Sequence, residues 1–233
     1  MGEIISRKAA VQDIAQDCRT TLTAATARGG TVQTLAEQYL QSLLHVFDLM
    51  DKRWQAVEQA LGPLRAAVDA LDDDADAMLG RFADDIWNDV GRPAADPLYA
   101  LLFPTGVSFY TEGPDVEQPA RMELLAELLE ANVHPKLDPK KTKAQAKQVR
   151  DQAKALRAAV EKTLAPTTES ATVGRARTAV ARSLQMALAN LKRHYRAQGL
   201  SESAIHALIP DRGNVRAHAP SPTPTPAPVP PGA

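Results

Sequence analysis

The sequence predicts an all-α protein, an elongated antiparallel helical bundle with coiled-coil-like packing. Three observations point there. An apolar stripe runs Leu40, Leu43, Phe47, Met50, Trp54, Val57, Leu61, Leu64, Val68, Leu71 in alternating steps of three and four. That is the 3.5-residue repeat that keeps one side of a helix against a neighbour. Aromatic residues make up only 4% of the 233 residues, so the core must rest on Leu, Val and Ala. Glycine and proline fall mostly between long stretches of helical periodicity rather than within them, and no repeat of fixed period is present.

The elements follow in order. Val11, Ile14, Cys18, Leu22 and Ala25 mark one face of a helix from about Ser6 to Arg28. Gly29-Gly30 ends it, and Thr31 is placed to cap the next. The stripe from Leu40 then carries a long helix in which Gly62-Pro63 predicts a kink, because proline removes a backbone donor and crowds the preceding turn. The run Asp72-Asp73-Asp74-Ala75-Asp76 reads as a joint, with aspartates favouring the first turn of a helix that continues to about Val90. Gly91 and Pro93 stop that helix. A further helix is expected over 117–133, through Met122, Leu125, Leu128 and Leu129. After Pro135 and Pro139, the face Val149, Ala153, Leu156, Val160 continues until Pro166 breaks it. Thr167 or Thr168 is then placed to cap a last helix to about Gln198, ended by Gly199.

Between these helices one long connection stands apart. Over about 91–118 the helical period stops, yet the segment holds Tyr99, Phe103, Phe109 and Tyr110, four of the ten aromatics. Leu98–Leu102 reads as a helical turn and 107–111 as a short extended piece. Apolar groups this dense belong against the bundle, and a braced loop is a common place for binding. Two readings follow: a packed plug that covers one end of the bundle, or a contact surface for a protein or a ligand, in which case these four aromatics are the candidate partner-binding residues.

Residues 1–209 are expected to form one bundle domain. The remaining 210–233 are expected to be a disordered Pro-rich tail, because seven prolines crowd the last fourteen residues with almost nothing to bury. The opening MGEIISRKAAVQ lacks the apolar stretch of a secretion signal, and no run approaches the roughly 20 residues of a membrane span. A cytoplasmic location follows as the expectation. Met1-Gly2 with Ser6 matches a myristoylation pattern, but nothing else in the chain suggests a lipid anchor.

The formal net charge of −1 conceals two opposed halves. Residues 1–133 hold 10 Lys+Arg against 22 Asp+Glu, and residues 134–233 hold 17 against 6. Either acidic helices pack beside basic ones, or the basic half faces a polyanion such as nucleic acid. Lys143, Lys147, Arg150, Lys154 and Arg157 step by three and four along one helical face and are the candidate polyanion-binding residues.

Motifs for catalysis are missing. Neither a GxGxxG nor a GxxxxGK[ST] phosphate loop occurs, Gly106–Tyr110 lacks the second glycine of a nucleophile elbow, and no HExxH is present. A single cysteine excludes a disulfide scaffold and a Cys-based zinc site. Cys18 itself lies on an apolar helical face, as a buried thiol does. Asp72, Asp74 and Asp76 match three positions of a calcium loop, but Ala77 and Ala83 occupy two that it requires. Glu130–His134 and Glu202–His206 are isolated i,i+4 pairs rather than metal sites. Asp84, Asp85 and Asp89 form a second acidic patch with no nucleophile or histidine near in sequence. No cofactor is implied. The leading expectation is a non-enzymatic scaffold that associates with itself or a protein partner through helical faces. Polyanion binding through 140–163 and 168–198 is the alternative, and ligand binding or catalysis near 97–111 the second.

Overall fold

The computed structural model describes residues 9–210; the expected tail and the myristoylation pattern lie outside them. Helix takes up 82% and no strand occurs among the described residues, so the protein is all-α, with long helices packed on one another. The order is α1 (Val11–Arg28), α2 (Gly30–Ala36), a π-helical turn (Glu37–Gln41), α3 (Ser42–Asp89), α4 (Pro97–Leu102), α5 (Ser108–Thr111), α6 (Gln118–Glu130), α7 (Pro139–Ala197) and α8 (Glu202–His206). None of these helices is long and apolar enough to cross a membrane.

Where the sequence suggests one bundle, the described residues gather into two compact units. One comprises the chain up to Asp51 together with residues from Arg175 onward; the other is Lys52–Gly174. The first unit packs α1, α2, the start of α3 and the end of α7 around Ile14, Cys18, Leu40, Phe47, Leu184, Leu188, Leu191 and Tyr195. Ile205, Leu208 and Ile209, in and after α8, belong to the same core. The second unit packs the rest of α3 with α6, the start of α7 and the connection, around Leu79, Phe82, Ile86, Met122, Leu125, Val149 and Leu156. Every residue of the Leu40–Leu71 stripe is buried or half-buried, as a helix-contact seam requires.

Several boundaries differ from expectation, each for a physical reason. Gly29 (φ 73°) and Gly30 (φ 59°) both take left-handed backbone, which glycine adopts without strain. Gly29 thereby caps α2, and Thr31 does not. The helix α3 continues through Pro63, as the unbroken phase of its stripe implies, but it also continues through the acidic run, so residues 72–76 are helix interior and not a joint. Likewise α7 continues through Pro166, where a break was expected. An interior proline costs about 3 kcal/mol. On either side of Pro166, Leu156, Val160 and Val173 are buried, and apolar burial at roughly 1.5–3 kcal/mol per side chain outweighs that cost. Helix α6 ends at Glu130 rather than Val133, because Asn132 turns the chain with φ 47°. Residues 108–111 form a helical turn, not an extended piece.

Candidate functional site

The aromatic connection is built from its first cap. Asp96 precedes Pro97 and its Oδ1 accepts from the backbone N–H of Leu98 (2.8 Å) and Tyr99 (3.0 Å), which starts α4. Tyr99 then packs edge-on to Trp87 at 5.0 Å between centroids and onto Phe103 at 5.3 Å. Phe103 meets Tyr110 at 5.9 Å, and Tyr110 meets Phe109 at 4.9 Å, both T-shaped, the arrangement that sets ring edge against ring face. The Tyr110 hydroxyl donates to the carbonyl of Leu102 at 2.6 Å, and burial pushes the phenol up to about 12. Arg121 of α6 donates to the carbonyl of Phe109 at 3.0 Å and braces the far end.

This ladder is core rather than surface. Phe103 and Tyr110 are fully buried, so the expectation of a four-residue contact surface is corrected for these two: no partner reaches them while the unit is folded. Tyr99 and Phe109 are half-buried and pack against the same core. An open cleft of about 370 Å³ lies nearby between α3, residues 115–116 and α7. Val68 and Val160 floor it and Arg65, Asp69, Asp115 and Thr167 rim it; none of the four aromatics lines it.

A polar knot, not anticipated from the sequence, ties the connection down. His134 is buried, its Nε2 3.1 Å from Asp96 Oδ2, while its Nδ1 accepts from the backbone N–H of Lys136 at 3.1 Å. The Nδ1 acceptor role leaves the proton on Nε2, which donates to Asp96. Hydrogen bonds from Tyr99 and His134 hold the Asp96 carboxyl below its usual value. Lys136 Nζ reaches back to the carbonyl of Val90 at 3.0 Å. Asp-Pro was the available signal for the cap, but His134 lies 38 positions away and nothing local announces it.

The basic stripe divides in two. Arg150 makes a bidentate pair with Glu130 of α6 at 2.7 and 2.9 Å, and Arg157 pairs with Glu123 at 2.8 Å. Lys143, Lys147 and Lys154 are exposed and make no ion pair among the described residues. The acidic patch of α3 is answered similarly: Lys141 sits 2.7 Å from Asp89 and 4.0 Å from Asp85. In the other unit, Arg177 and Asp51 pair with side chains only 12% and 14% exposed. Within each unit, then, charges from the two halves of the chain meet.

Several other reactive groups are engaged in packing, hydrogen bonds or ion pairs. Cys18 is buried against α7, and burial pushes its thiol up to about 12, far from the thiolate a nucleophile needs. Asp76 accepts from Gln118 of α6 at 3.1 Å, and burial with the neighbouring Asp72 raises its carboxyl. Glu130, one member of an i,i+4 pair with His134, turns to Arg150 instead. Glu202 lies 3.4 Å from His206 but also binds Lys192 (3.0 Å) and Arg196 (2.6 Å), whose hydrogen bonds hold its carboxyl down to about 2. Among the described residues no group of three or more His, Cys, Asp or Glu is placed to hold a metal ion. Comparison with protein-family models, with curated proteins and with solved structures finds no match to this chain.

Proposed function

We propose that this chain is a non-enzymatic helical scaffold of the cytoplasm, which presents the outward faces of its long helices to a second copy or to a protein partner. One observation carries the reading. In the first unit, Val46 and Leu49 of α3 and Met186 of α7 are 40%, 51% and 62% exposed. They lie on helices whose inner stripe already fills a core; Val46 and Leu49 stand three residues apart, one turn along the same side of α3, and exposed apolar neighbours of this kind support association. The engagement of Cys18, His134 and Glu202 in packing, hydrogen bonds and ion pairs supports a structural rather than a catalytic role.

Sedimentation of the full chain at rising concentration, alone and with a cell extract, tests this. Self-association or capture of a defined partner is expected, and Val46→Glu with Leu49→Glu should weaken it at least tenfold. A strict monomer that captures nothing, or association untouched by the double variant, would overturn the outward-face assignment.

A further inference from the structure

The split of the basic stripe is a second observation, independent of the apolar faces and not used by the scaffold reading. Five cations share one side of α7, and two of them are already answered. The guanidiniums of Arg150 and Arg157 are tied to Glu130 and Glu123 of α6. The three that remain are all lysines, exposed and outside any ion pair among the described residues. Lys143 lends its field to Glu130 without pairing with it. Asp151, between Lys147 and Lys154, is exposed and joins neither in an ion pair among the described residues. Because α7 is one unbroken helix, the row is straight, with about 16 Å between Lys143 and Lys154 at 1.5 Å per residue.

We propose that Lys143, Lys147 and Lys154 form a contact row for the phosphate backbone of a nucleic acid, bound without sequence preference. Lysine is a compact charge on a flexible stem and suits phosphate contact without fixed geometry, whereas the geometry-specific arginines are already held by carboxylates. A duplex carries one charge per about 1.7 Å of axis with both strands counted, so a row about 16 Å long lies beside several phosphates, and the flexible lysine stems meet them without a fixed register. An acidic helix would have to reproduce its steps of four and seven residues.

The test is fluorescence anisotropy of a labelled 20-base-pair duplex titrated with the full chain, from about 20 to 200 mM KCl. Three neutralised phosphates predict a slope of log affinity on log salt near −3, at about 0.9 per phosphate. Lys147→Gln should reduce the slope by about one, and the triple Gln variant should abolish binding, with the helical circular dichroism unchanged. Lys52→Gln, on α3, should leave the slope as it is. Glu130→Gln frees Arg150 and should steepen it by about one. Absence of binding at the lowest salt, or a slope indifferent to the triple variant, overturns the proposal. Displacement by polyglutamate as effective as by unlabelled duplex at equal charge also overturns it and assigns the row to an acidic protein.

Discussion

Tyr110 shows how much one buried hydroxyl can decide. It is fully buried and bonded to the Leu102 carbonyl, so Tyr110→Phe leaves that carbonyl short of a donor and should cost about 1–2 kcal/mol in urea unfolding. Asp96→Ala removes the cap of α4 and strands the His134 Nε2 donor together. The expected loss is about 2–3 kcal/mol, larger than for an ordinary cap. Alkali gives a test that needs no variant. Cys18, Tyr110 and Tyr195 are all raised to about 12 by burial, from ordinary values of 9.0 to 10.0. A group raised on folding keeps its proton in the folded state while the unfolded chain loses it. Stability should therefore be intact below about pH 9 and fall steadily toward pH 12, measured as the unfolding midpoint against pH. A midpoint flat across that range would contradict the burial of these three groups. For the same reason Cys18 should be inert to a thiol reagent in the native protein at pH 8 and react once it is unfolded.

At the scale of elements, the two interior prolines are the sharpest test. Because α3 and α7 both continue through a proline, Pro63→Ala and Pro166→Ala each restore a helical N–H and relieve a clash. Each should stabilise by about 1–3 kcal/mol, somewhat below the full propensity difference because proline also restricts the unfolded chain. No gain at Pro166 would restore the break that the sequence suggests. What could be read from the sequence here follows from distance along the chain. The Leu40–Leu71 seam, the Gly29-Gly30 joint and the Gly199 stop are local patterns, and they were legible. The continuity of α7 was not, because it depends on partners such as Glu58 and Trp54 that meet Ser170 and Gly174 from more than a hundred positions away. The 107–111 turn was hidden too: Val, Phe, Tyr and Thr favour strands, and tertiary packing on α6 overrides that weak preference.

On the scale of the whole molecule, the described residues hold two cores, and each predicts its own deletion phenotype. Leu79→Ala in one and Leu191→Ala in the other remove fully buried side chains. Each should cost about 2–5 kcal/mol. Hydrogen exchange should show the loss of protection concentrated in the core that carries the change. The candidate site was only partly legible at this scale. The sequence identified five cations sharing a face. Which of them are free depends on where α6 lands, and a glutamate 20 positions from Arg150 is not visible as its partner in the linear pattern. The opposed charge of the two halves was legible, and so was packing of acidic helices beside basic ones as one of its two readings, but the pairings were not: Lys141 with Asp89, and Arg177 with Asp51, join the halves within the units.

The wide turn at Glu37–Gln41 leaves the helical run from α2 into α3 open to length change at one spot. A π turn houses one more residue than an α turn while the helix on either side keeps its facing. Excising the exposed Gln38 should relax that loop into ordinary helix and leave Ala36 and Leu44 pointing where they do now. The same excision at Gln59, inside regular α3, would swing everything beyond it by about 100° and turn its apolar stripe out of register. A pair of single-residue deletions, one tolerated and one ruinous, is thus written into neighbouring stretches of the chain.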